Sequence, residues 1–134
     1  MWEARRSAAA VLWELMGEAI LDHEIPSWNV AHDQREKFAV LLRSGIASPW
    51  TTSIGRLFDA VASLTGLCHQ TSFEGQAAMA VQFAAEQEAE ASGVGVEGYP
   101  MDLVPCHSLD TKSMIDWHPM VRAILDELRR GPAP

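Results

Sequence analysis

Apolar residues recur at three- and four-residue spacing along much of the chain, and each such stretch ends at a glycine, a proline or a loop-forming run. Over residues 7–21, Ala8, Val11, Leu12, Leu15, Met16 and Ala19 share one face, which predicts an amphipathic helix closed off by Pro26 and Ser27-Trp28-Asn29. A second helix is predicted over 33–44. Asp33 stands as its cap, Glu36 completes a capping box, Gly45 follows the last turn, and Phe38, Leu41 and Leu42 form the buried face. Ser48-Pro49 breaks the chain, because the residue before proline is biased away from helix. The third helix starts near 51 or 52 and runs to Gly66, with Ile54, Leu57, Phe58, Val61 and Leu64 as its stripe. A fourth, rich in alanine, covers 72–92 ahead of Gly93 and Gly95. The period then changes. Tyr99, Met101 and Leu103 alternate, residues 105–109 read as a turn, and 111–117 is strand-like again, a pattern that fits a β-hairpin. Pro119 at a first helical position, followed by Val121, Ile124, Leu125 and Leu128, gives a last helix ended by Gly131-Pro132.

The pattern therefore predicts a mainly α fold of about five helices with one short β-hairpin, at about 98–117, and a C-terminal helix at about 119–130. At 134 residues the chain suits one unit, 1–134, large enough to bury a core. Hydrophobic residues make up 48% and charged residues 21%, which excludes wholesale disorder. No apolar run reaches the ~18–20 residues of a membrane span, and the N-terminal residues do not read as a secretory signal. Ten Lys and Arg against eighteen Asp and Glu give a net charge of −8. Between Arg56 and Lys112 there is no basic residue, while Asp59, Glu74, Glu86, Glu88, Glu90, Glu97, Asp102 and Asp110 account for the whole imbalance. Such a distribution argues against nucleic-acid binding, which needs clustered cations.

Several side chains invite a chemical role. Cys68-His69 and Cys106-His107 carry zinc-ligand types, but not the two- to four-residue ligand gaps of common sites, and adjacent side chains point apart. They read as small buried or half-buried thiols, with neither a metal site nor a Cys68–Cys106 disulfide expected. Glu86, Glu88 and Glu90 are spaced so that neighbours do not face each other on a helix, and they read as a solvated face. His23, His32 and His118 have no partner at triad spacing and read as surface residues. Two positions carry more meaning. Gly75 falls in the expected first turn of the fourth helix, where free N–H groups can meet a phosphate, a ribose or a base edge and where the backbone can be approached closely. Asp59 lies at the edge of the third helix's stripe. It either pairs with Arg56 or faces a cleft, where a carboxylate can bind the two hydroxyls of a ribose.

The same residues carry a family resemblance. "SPWTTSIGRLFDAVASLTGLCHQTSFEGQAAM" (residues 48–79) closely resembles a signature stretch of the hydrogenase-maturation carbamoyltransferases, the HypF family. "ARRSAAAVLWELMGE" is similar to the segment upstream of it, and "YPMDLV" with "MIDWHPMVRAILDEL" to the segment downstream, so the resemblance covers nearly the whole chain in order. Ile54 and Trp50 depart from the family's usual small residue and leucine.

The resemblance implies a subdomain of an actin-like ATPase-fold carbamoyltransferase domain, within a large cytoplasmic enzyme. That enzyme makes a carbamoyl-adenylate from ATP and carbamoyl phosphate. It passes the carbamoyl group to the C-terminal cysteine of a partner protein in nickel–iron hydrogenase maturation. Asp59 is implied to contact ribose and Gly75 the nucleotide, with Ser53, Gly55 and Glu74 in the same motifs. The family's paired-histidine metal motif and its glycine-rich phosphate loops do not occur in this sequence. The chain is therefore expected to begin and end inside a domain, as a split gene or truncation, and to bind no metal. It is expected to share ATP or carbamoyl-adenylate with the remainder of the transferase and to be inactive alone, with no catalytic residue of its own. Orphaned apolar surface could also give a homo-oligomer. One rival is a small helical protein-interaction module without ligand. Another is a fragment of a different carbamoyl or threonylcarbamoyl transferase. The tRNA-modifying type usually reads aspartate-alanine-alanine-glycine-glutamate and proline-glycine-glycine at 53–56 and 73–75, unlike this chain.

Overall fold

A computed structural model describes residues 2–45, 54–93, 98–105 and 113–131. The chain forms two compact units, Met1–Gly93 and Val94–Pro134. In the first, strand β1 (Trp2–Glu3) leads into helix α1 (Ala4–Met16) and a 3-10 turn (Gly17–Leu21). Helix α2 (His32–Ser44), helix α3 (Ile54–Leu64), strand β2 (Gln70–Thr71) and helix α4 (Gln76–Ser92) follow.

The core of this unit is built on small residues. Ala4, Ala8, Ala9 and Leu12 of α1 are fully buried, as are Ala60, Ala62, Ser63 and Leu64 of α3, and these two helices pack more extensively than any other pair. Alanine and serine let the helices come close, and the two buried leucines each contribute about 1.5–3 kcal/mol. The apolar stripe expected on α3 is thus only partly the buried face. Leu64 lies inside, but Ile54 is 63% exposed and Phe58 is also exposed, because packing against α1 selects the small side.

The first predicted helix ends earlier than its apolar spacing suggests. Gly17 takes a positive φ of 56°, its N–H bonds to the Trp13 carbonyl, and the chain continues as a 3-10 turn that buries Ile20. In α2 the expected capping box does not form. Ala31 is the N-cap, no side chain caps the helix, and Asp33 lies within its first turn. Arg35 sets this entry instead: it is buried and its guanidinium donates to the His23 carbonyl at 2.5 Å. Phe38, Leu41 and Leu42 are only half-buried, while Ala39 is buried. The loop at 27–29 is a loop, as its composition suggests, yet Trp28 is the largest fully buried side chain and stacks on Phe38 with centroids 6.4 Å apart.

The β1–β2 ladder has no counterpart in the sequence pattern, because two-residue strands carry no period. Trp2 pairs with Thr71 and Glu3 with Gln70, and the Arg5 N–H donates to the His69 carbonyl at 3.3 Å. The ladder fastens the start of α1 to the segment between α3 and α4.

In the second unit, β3 (Asp102–Pro105) and β4 (Ser113–Asp116) form the expected antiparallel hairpin, with Leu103 opposite Ile115 and Val104 opposite Met114. Helix α5 (His118–Arg130) follows with Pro119 in its first turn, and it buries Val121, Ile124 and Leu125. The Tyr99 hydroxyl donates to Glu127 at 2.6 Å. That bond to a carboxylate, with some burial, pushes the phenol up to about 12. His118 is not a free surface residue. Its ring nitrogen lies 2.5 Å from Asp116, its backbone N–H donates to the same carboxylate at 3.0 Å, and the ring stacks on Trp117. Among the described residues no helix is long and apolar enough to cross a membrane.

Candidate functional site

Helix α3 carries the first motif. Gly55 is exposed in its first turn, Asp59 is buried one turn later, and the Arg56 guanidinium donates to the Asp59 carboxylate at 2.6 Å. Of the two expectations for Asp59 from sequence, pairing with Arg56 is therefore realised. The partners differ in setting, since Arg56 keeps 38% of its side chain exposed while Asp59 keeps 11%. The carboxylate is thus the buried member of the pair and the guanidinium the more exposed one. A polar ligand reaching Asp59 would share or displace Arg56 rather than meet a bare carboxylate. Ser53 lies outside the described residues.

The second motif precedes α4. Glu74 and Gly75 are exposed, and Gly75 is not in the first turn of the helix but at its N-cap, with φ 84°. Residues 72–75 form a turn that folds back on the helix. The Ser72 N–H donates to the Gln76 side chain at 2.7 Å, and the Gly75 carbonyl accepts from the Met79 N–H at 3.0 Å. The predicted helix starts four residues too early because Gly75 takes the left-handed conformation, which a continuing helix excludes. The Gln76 N–H is taken by the Phe73 carbonyl at 3.4 Å, which leaves the N–H groups of Ala77 and Ala78 without an intrahelical acceptor. No atom lies within 4 Å of where a Gly75 Cβ would stand, so the backbone there is open to approach. Helices α3 and α4 pack on one another, which places the two motifs on adjacent elements.

Between the motifs lies a polar pair that spacing alone does not indicate. Ser63 is fully buried on α3, and its hydroxyl lies 3.0 Å from Nδ1 of His69. Burial, and then the Arg5 charge, hold the His69 ring below its ordinary pKa. Both effects favour the neutral ring, which can pair with the Ser63 hydroxyl through Nδ1.

Cys68 is a free thiol whose Sγ lies 3.2 Å from the Gln70 carbonyl. Cys106 and His107 lie outside the described residues. Among the described residues, no group of three or more His, Cys, Asp or Glu is placed to hold a metal ion. Glu86, Glu88 and Glu90 are exposed on α4, with Glu86 accepting from Gln82 at 2.8 Å.

Comparison with known proteins bears on this arrangement. A family model described as "Carbamoyltransferase, Kae1-like Domain, second subdomain" matches residues 1–134. Carbamoyltransferase HypF of Synechocystis sp. is 31% identical over 138 aligned positions, covering 92% of this chain and 17% of that protein. Carbamoyltransferase HypF of Rhodobacter capsulatus is 37% identical over 70 positions, covering 52% of this chain and 10% of that protein. The chain thus spans less than a fifth of the curated relatives it matches. No solved structure is a significant match.

Proposed function

Because this chain belongs to the family of the second subdomain of the Kae1-like carbamoyltransferase domain, we propose that it supplies the ribose and base side of a nucleotide site in a cytoplasmic carbamoyltransferase of hydrogenase maturation. The nucleotide is ATP or carbamoyl-adenylate, shared with the remainder of the transferase. The acceptor is the C-terminal cysteine of a partner protein. The observation that carries this is the buried Asp59 carboxylate on α3, beside an α4 whose entry is opened by the left-handed Gly75.

In this role Asp59 accepts hydrogen bonds from the two ribose hydroxyls while sharing its carboxylate with Arg56. Gly75 and the N–H groups after it face the base or sugar edge, with Glu74 and Gly55 lining the approach. The chain contributes orientation rather than chemistry. Charge developing on the carbamoyl group must be stabilised by donors and ions elsewhere in the domain, so the isolated chain is inactive.

The test is titration calorimetry with ATP. Tight ATP binding at this site, read from the Asp59 and Gly75 amide signals beside the heat, should appear only once the separately expressed remainder of the domain is added. Asp59→Ala should then weaken binding by about ten- to a hundredfold, the worth of a charge-assisted hydrogen bond. Equal binding by the variant would sink the assignment. Exposed Ile54, Phe58, Phe73, Met79 and Phe83 favour a second reading, a docking module without ligand. In that case nucleotide would leave the Asp59 and Gly75 amide signals unmoved.

A further inference from the structure

Away from α3 and α4, a cleft of about 310 Å³ opens where the start of α1 faces α2. Its walls include Arg5 and Arg6 from α1, Lys37, Phe38 and Leu41 from α2, and Glu3 from β1. Three cations face one carboxylate there, on a chain whose net charge is −8. Two of the cations are uncompensated. Among the described residues no carboxylate pairs with Arg5 or Lys37, and the Arg5 Nε is buried without a hydrogen-bond acceptor.

A guanidinium N–H buried without an acceptor is destabilising, and an oxyanion is the partner that satisfies it. Arginine offers an oxyanion a fixed fork of donors, and lysine adds a point charge. Phe38 and Leu41 give the same cleft an apolar wall. Its volume sits at the low end for small-molecule sites and is too small for a polymer.

We propose that this cleft binds a small ligand through a phosphate or carboxylate group, held by Arg5 and Lys37, with an apolar portion against Phe38 and Leu41. This site is independent of the nucleotide assignment to Asp59 and Gly75. The full 134-residue chain can be titrated with sodium phosphate, sodium acetate and sodium chloride at matched ionic strength, following amide signals by NMR. Phosphate or acetate should move the Lys37 and Leu41 signals with a saturable midpoint, and chloride should not. A lower midpoint for phosphate identifies a phosphoryl ligand, and a lower one for acetate a carboxylate. Lys37→Glu should raise that midpoint about tenfold or more. Arg5→Lys, which keeps the charge but removes the buried Nε donor, should raise it severalfold. Arg130→Glu, the same charge change on α5, should leave it unchanged. Chloride matching the oxyanions, or an unchanged midpoint in either Lys37→Glu or Arg5→Lys, overturns the site.

Discussion

Asp59 and Arg56 form an i, i+3 pair with unequal exposure, and the inequality decides what each substitution does. Arg56 can hydrate when its partner is removed, so Asp59→Asn should cost no more than about 1–2 kcal/mol of stability while abolishing the proposed ribose contact. Chemical denaturation beside nucleotide titration separates the two effects, and a collapse of stability would make Asp59 a structural residue. His69 gives a second test at this scale. Its folded pKa lies below the ordinary 6.5, through burial first and the Arg5 charge second. Below pH 6.5 the unfolded chain therefore binds more protons than the folded one. Stability should be full above that value and fall as pH drops from 6.5 toward the lower folded pKa. Thermal unfolding from pH 8 to 5.5 should show this decline, and His69→Gln should flatten it. An equally steep decline in the variant would place the titration elsewhere.

At the level of elements, the end of α3 shows how a local rule is locked by tertiary contact. Leu67 N–H bonds to the Ala62 carbonyl at 2.8 Å and Gly66 N–H to Ser63 at 3.1 Å, which is a Schellman closure around a left-handed Gly66. A Cβ at Gly66 would stand 3.2 Å from the Ser27 carbonyl oxygen, and the Ser27 hydroxyl donates to the Leu64 carbonyl. Gly66→Ala thus adds a crowded contact to a conformational cost of about 1–2 kcal/mol, and Tm should fall by several degrees. Gly45→Ala is the control, having a positive φ with nothing within 4 Å, and should fall less. A larger drop at Gly45 would mean that the Ser27 contact does not matter. Gly66 was legible because a C-terminal glycine after a periodic stretch is a local signal. The β-hairpin and Pro119 were legible for the same reason. Gly75 was misplaced because glycine suits both an early helical turn and a left-handed cap, and only the fold-back of 72–75 separates them. Trp28, Arg35 and the Ser63–His69 pair were not legible, since each depends on a partner 6 to 12 residues away that no local period encodes.

Across the whole molecule, charge is segregated in a way that bears on the order of binding. Within the first unit, residues 57–93 hold five acids (Asp59, Glu74, Glu86, Glu88 and Glu90) and no Lys or Arg, and both Asp59 and Gly75 fall among them. A triphosphate brought to that surface meets like charge, and each exposed acid within about one Debye length opposes it by a fraction of a kcal/mol. The ribose and base face no such opposition. On the isolated chain, adenosine should therefore move the Asp59 and Gly75 amide signals at a concentration no higher than ATP requires. ATP should overtake adenosine only after the remainder of the domain supplies cations for its phosphates. Shifts at Lys37 caused by ATP alone would belong to the cationic cleft and do not enter this comparison. Tighter binding of ATP than of adenosine at Asp59 and Gly75 on the isolated chain would contradict the division of labour. The phosphates would then be neutralised within this chain, and Arg56, the cation beside Asp59, would be the first residue to test for that role.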